Sequence, residues 1–197
     1  MCFFKRMKIK RLTKKLLSMQ KMRVHNQPSE ELLKKEVQGY LMLATLYTSV
    51  VGKKKVPFAR QMVLECYRAA AGLESAEAQY TLGKTLLEEA KFREQLEVQG
   101  LFSSPSNQRA VKQLYDEAHA YLIAAETLKH VEAKRLHGLC YINGWGVPID
   151  QSKGFEMVVD SIGQENSWGR VPQIFASIGL NKPEFFSALS AARNKSH

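Results

Sequence analysis

Two stretches far apart in the chain carry the same order of side chains. "CYRAAAGLESAEAQ", Cys66–Gln79, and "AYLIAAETLKHVEAK", Ala120–Lys134, each hold a double alanine, a short turn and then x-Glu-Ala. Side by side, the second stretch has one residue more. Alanine projects little from a helix, so a recurring alanine pair marks a face where a second helix approaches closely. The constraint is therefore two helices joined by a short turn, made more than once. Self-similarity at a period of roughly 40 residues is the mark of stacked helical hairpins.

The rest of the chain fits that reading. Ser29 is placed to cap a helix, with Glu30 and Glu31 against its positive end. That helix is expected to reach about Val50, the next to run from Pro57 to about Gly72, and a third from about Ser75 into the 90s. A polar loop, "GLFSSPSNQ", covers Gly100 to Gln108. Helices are expected over about 108–129 and 131–142, and from Asp150 or Ser152 to near Gly163. A last pair is expected over about 167–179 and 183–193, with Asn181 as a cap and Pro183 in the first turn. No stretch sustains period-two alternation, so the fold class is all-α.

At 197 residues and 45% hydrophobic, the chain is one domain or one short array with a substantial core. Cys2, Cys66 and Cys140 show no CxxC spacing and are odd in number, which points to a reducing, cytoplasmic setting. Membrane association would then come through a complex.

The net charge of +10 is unevenly distributed. Residues 1–29 carry nine cations (Lys5, Arg6, Lys8, Lys10, Arg11, Lys14, Lys15, Lys21 and Arg23) and no acid, while the remaining residues hold 20 basic and 19 acidic side chains. The positive field belongs to an N-terminal arm, residues 1–28. The arm lacks the apolar run of roughly 7–15 residues that a secretory signal needs. No stretch approaches the roughly 20 apolar residues of a membrane span. As a helix, the arm would gather Phe4, Ile9, Leu12, Leu16, Met19 and Met22 loosely on one side, with Phe3, Met7 and Leu17 off it.

"LHGLCYINGWGVPIDQSKGFE", Leu136–Glu156, raises the question of a phosphate-cradling loop. Gly144-Trp145-Gly146 has no third glycine and no preceding strand, so the dinucleotide fingerprint fails and a helix-to-helix turn is expected. His130 and His137 lie two helical turns apart, with Cys140 three residues on, but zinc-binding helical pairs sit at i, i+4 and no second cluster is present. His137 is expected to pack in the core or a groove. Adjacent acids such as Glu88 and Glu89 diverge on a helix, and no nucleophile elbow or Walker motif appears. The expectation is a non-enzymatic protein with neither cofactor nor metal.

The chain resembles the Sel1-like repeats, relatives of the tetratricopeptide family. The pattern is A-x-A-x-x-x-L-G-x-x-Y-x-x-G-x-G-V-x-x-D-x-x-K-A. Ala133, Gly138, Tyr141, Gly144, Gly146, Val147, Asp150 and Lys153 match it, with His137 in place of the usual Leu and Gly154 in place of the usual Ala. In a second copy Ala76, Ala78, Leu82 and Gly83 match, Leu86 replaces Tyr, and an insertion near 90–108 replaces the turn. In the first copy Leu43 and Tyr47 match; the copy over about 167–193 is degenerate. The resemblance implies a right-handed α-α solenoid of about four helix pairs over 29–197, preceded by the basic arm. Tyr47, Gly83, Gly138, Tyr141, Gly144, Gly146 and Asp150 would be its structural positions.

The resemblance also implies an adaptor or scaffold that binds a peptide or helix of another protein, with no small-molecule substrate. A bacterial type IV secretion adaptor or chaperone is one such role. The expected contact residues are Trp168, Phe185 and Phe186 near one end, and the 90–108 insertion. The alternative is an anionic-surface binder, for membrane or nucleic acid, acting through Lys5, Arg6, Lys8, Lys10, Arg11, Lys14 and Lys15. Only Phe3 and Phe4 interleave those cations as aromatics, which disfavours base stacking. The other readings of the arm are a solvated tail and a helix that docks on the repeats or on a partner.

Overall fold

The computed structural model describes residues 2–25, 28–53, 56–180, 183, 185–187 and 189. Its helices are α1 (Cys2–His25), α2 (Glu30–Thr48), α3 (Ala59–Ala71), α4 (Ala76–Val98), α5 (Pro105–Thr127), α6 (Val131–Asn143), α7 (Gln151–Gln164) and α8 (Val171–Ser177), the last preceded by a 3-10 turn over Trp168–Arg170. No strand occurs among the described residues. The expected cap Asn181, and residues 190–193 of the last expected helix, lie outside the described residues.

Helix starts follow local side-chain chemistry. The Ser29 hydroxyl accepts from the Leu32 N–H at 3.2 Å, Ser104 from Asn107 at 3.2 Å, and the Asp150 carboxylate from Lys153 at 2.9 Å. His130 caps α6 through Nδ1, which accepts from the Ala133 N–H at 3.2 Å. Most of the 90–108 segment is itself helix, since α4 continues to Val98 and α5 begins at Pro105.

Helices α3 to α8 end with one shared backbone device. The N–H five residues on reaches back to a carbonyl: Ser75 to Ala70 (3.3 Å), Leu101 to Leu96 (2.8 Å), His130 to Ala125 (3.1 Å), Trp145 to Cys140 (3.0 Å), Ser167 to Ile162 (2.9 Å) and Leu180 to Phe175 (2.9 Å). Each closure carries a left-handed residue just before the donor, namely Glu74, Gly100, Lys129, Gly144, Asn166 and Gly179. This is the Schellman arrangement, which satisfies carbonyls that a helix end leaves orphaned. It corrects the sequence alignment. Ala70 and Ala125 occupy the same place before the turn, Ala78 and Ala133 the same place after it, and all four are fully buried. The two turns are equally long, so the second has no extra residue.

The chain divides into two compact units, Met1–Leu86 and Leu87–His197. In the first unit α2 packs on α3, and α1 packs on α2. The basic segment is thus a seated helix. Leu16 and Met19 are buried, and Gly39 of α2 gives Leu16 its place: a Cβ there would lie 2.7 Å from the Leu16 Cδ2. Arg23 pairs with the wholly buried Glu36 at 3.1 Å, and Gln20 donates to the Tyr40 hydroxyl at 2.8 Å. The buried face is narrower than the sequence pattern, because these polar contacts occupy its flank. Phe4 and Met22 are left exposed.

In the second unit α5 packs on α6, and α6 on α7. The α6–α7 contact is backbone against backbone. A Cβ on Gly138 would sit 2.6 Å from the Gly154 carbonyl oxygen, and a Cβ on Gly154 would meet the Gly138 carbonyl and lie 2.7 Å from the Ile142 Cγ1. Position 154, where the repeat pattern has alanine, therefore requires glycine here. Below the contact, Leu139, Ile142, Val158, Ile162, Val171, Ile174, Phe175 and Leu180 form one core.

Gly138→Ala is expected to destabilise by roughly 1–3 kcal/mol, because backbone must move to admit one methyl group. Gly169→Ala, with nothing within 4 Å of the added carbon, is expected to be near neutral. Chemical denaturation of both variants checks the pair. Glu74 and Lys129 hold φ of 59° and 67° without being glycine. Replacing either by glycine is expected to stabilise by about 0.5–1 kcal/mol, measured in the same way.

Candidate protein-binding cleft

In the second unit the end of α4, α5 and the turn after α6 enclose a cleft of about 770 Å³. One wall is the end of α4, with Glu94, Glu97 and Val98; another is α5, with Val111, Tyr115 and Asp116; the third is the turn Asn143–Pro148 after α6. The turn is fixed to α5 by two features. Gly146 has a φ of 71°, and a Cβ on it would run into the Tyr115 carbonyl. The Trp145 ring lies parallel to the Tyr115 ring, 6° apart in plane with centroids 6.2 Å apart. Backbone contact and stacked rings together hold the indole at the cleft.

Electrostatics in the cleft are acidic. Glu94, Glu97 and Asp116 line it against one cation, Lys112. Glu94 accepts from the Tyr115 hydroxyl at 2.7 Å, and burial together with that bond pushes the phenol well above its ordinary range. Glu97 accepts from Asn107 at 3.2 Å and Gln108 at 2.6 Å, so its charge is fixed in place. The Lys91 ammonium lies 3.5 Å from the centre of the Trp145 ring, and burial lowers its pKa. A cation is therefore already accommodated against this indole.

Beside the cleft, α5 and α6 share a hydrogen-bonded histidine pair. His119 Nε2 and His137 Nε2 are 3.0 Å apart, and His137 Nδ1 is 2.6 Å from a Glu126 carboxylate oxygen. The carboxylate accepts from Nδ1–H of His137, which leaves its Nε2 to accept from His119 Nε2–H; this tautomer is inferred from the partners. Both rings pack on Tyr141, whose hydroxyl accepts from Lys153 at 2.7 Å. His137 is buried, and Cys140 is wholly buried, with its thiol pushed up to about 12 by desolvation.

The other residues singled out in the sequence fall elsewhere. Trp168, Phe185 and Phe186 are half-buried and packed against the core of the second unit; Phe185 stacks on Phe155 at 5.9 Å and Phe186 leans on Phe175 at 5.2 Å. Gly83 is buried in α4, and Tyr47 lies against α1 in the first unit. Gly144 ends α6 at a φ of 75°, and Asp150 starts α7. The cations Lys5 to Lys15 lie along α1. Trp145, read in the sequence only as part of a turn, lines the cleft. Its only signal was a large aromatic between two turn glycines, where a turn alone needs none.

No protein-family model matches this chain, and no curated protein sequence matches it significantly.

Burial, then the neighbouring His137, holds the pKa of His119 below the usual histidine value, Asp116 opposing and Lys153 reinforcing. The unfolded chain therefore takes up the proton first. The stability this represents is complete above about pH 6.5 and is lost as pH falls below it. Thermal unfolding is expected to show Tm falling as the pH drops below about 6.5, with the fall reduced in His119→Gln, which retains a donor toward His137. An equal fall in the variant would contradict the assignment.

Proposed function

We propose that the protein is a non-enzymatic binding module whose cleft receives a cationic, partly apolar segment of another protein, as a peptide or a helix. The observation that carries this reading is a preset aromatic pair, Trp145 on Tyr115, beneath carboxylates whose positions are fixed by hydrogen bonds. Rigid aromatics in a concave site are typical anchors of protein interfaces. Two of the three carboxylates accept from groups of the protein itself, which suits recognition of charge better than proton transfer.

In this reading the helical hairpins continue a right-handed, Sel1-like stack of about four pairs. The closures at Ala70, Ala125 and Ile162, with the Gly138–Gly154 approach, support it. The class of role is an adaptor or chaperone, a bacterial secretion adaptor among them. No helix among the described residues is long and apolar enough to cross a membrane.

A displayed library of random peptides tests the proposal with purified protein. Selected sequences are expected to be rich in Lys or Arg alternating with aliphatic residues. Asp116→Lys, an exposed change, is expected to weaken the selected peptides at least tenfold, and Trp145→Ala by roughly 10–100-fold, the range of an interface anchor. Circular dichroism confirms that both variants fold. Selection of acidic or purely apolar peptides, or affinities indifferent to Asp116→Lys, would overturn it.

A further inference from the structure

The first unit carries a second surface of opposite character. α1 buries Leu16 and Met19 against α2 and keeps its other sides in solvent. There the helix presents cations and large apolar side chains together and no acid: Met7 is 55% and Leu17 52% exposed, flanked by Arg6, Lys10 and Lys14. These five residues, with Ile9, Thr13, Tyr47 and Val56, line an open groove of about 780 Å³. Its lining is mostly apolar, and Arg6, Lys10 and Lys14 add positive charge to it.

Exposed apolar side chains of this size are costly in water unless something covers them. The cations select an anionic cover, and the exposed Met7 and Leu17 select one with hydrocarbon beneath its charge. Nucleic acid meets the first requirement only. An anionic phospholipid surface meets both, because headgroup phosphates lie at the level of Lys and Arg while Met and Leu reach the acyl boundary. α1 is also held flat and preformed by Leu16, Met19 and the Arg23–Glu36 pair, so little ordering is needed on contact.

We infer that the exposed face of α1, centred on the groove lined by Arg6, Met7, Lys10, Lys14 and Leu17, docks on an anionic phospholipid membrane surface, lying in the headgroup plane without crossing it. This site is independent of the acidic cleft of the second unit.

Flotation of the full chain with vesicles tests it. Vesicles of phosphatidylcholine containing roughly 30% phosphatidylserine are compared with phosphatidylcholine alone, at about 50 and 200 mM salt, where screening changes the attraction. Two double variants at exposed positions separate the contributions, Lys10→Glu/Lys14→Glu for charge and Met7→Ser/Leu17→Ser for the apolar side chains. Circular dichroism and the melt confirm that each still folds. The expected result is binding to the anionic vesicles only, weaker at higher salt and reduced at least tenfold by either double variant. Three results would overturn the inference. One is no binding to anionic vesicles at either salt. Another is binding unaffected by Met7→Ser/Leu17→Ser, which reduces the surface to a general polyanion site such as one for nucleic acid. The third is capture of an acidic amphipathic peptide by this face with no vesicle binding.

Discussion

The contact on which the second unit depends is the approach of two backbones at Gly138 and Gly154. Helices usually pack through side chains, with axes about 8–10 Å apart. Here a single added methyl group on either residue would meet a carbonyl of the other helix. That closeness brings Ile142 and Val158 into one buried core with Leu139 and Ile162. α6 then ends at the left-handed Gly144, where the chain reverses. The reversal lands Gly146 on the backbone of α5 and stacks Trp145 on Tyr115. The cleft thus rests on the glycines of the turn itself, Gly144 and Gly146.

Helix ends explain what the sequence revealed and what it hid. Ser29, Ser104 and Asp150 are short polar side chains that cap by accepting backbone N–H groups, and such residues announce a helix start. Gly100, Gly144 and Gly179 announce helix ends for the converse reason, since glycine enters the left-handed region freely. Glu74, Lys129 and Asn166 do the same work with a side chain attached. Nothing in the letters distinguishes Lys129 from an exposed helical lysine, so the two alanine turns could be aligned with a spurious extra residue. Backbone closure sets that register, and it leaves no trace in composition.

The site was less legible than the fold for a related reason. Trp168, Phe185 and Phe186 drew attention as large aromatics near one end, yet each lies half-buried against the core. Hydrophobicity alone does not separate an anchor from a core side chain, because both bury apolar area. What marks Trp145 is its setting: a turn pressed onto α5, a parallel ring below, a lysine above and carboxylates around. Those neighbours come from α4 and α5, distant in sequence. The charge of α1 was plain from the sequence, whereas its seat on α2 depends on Gly39, Glu36 and Tyr40, which lie beyond the basic segment.

The chain has two tryptophans, and each gives one indole N–H signal in a nitrogen-correlated NMR spectrum. Titration with a lysine-rich amphipathic peptide tests the cleft most directly. The account predicts a saturable shift of the Trp145 signal, abolished by Asp116→Lys, while the Trp168 signal stays in place. A shift of Trp168 alone, or of neither, would contradict it.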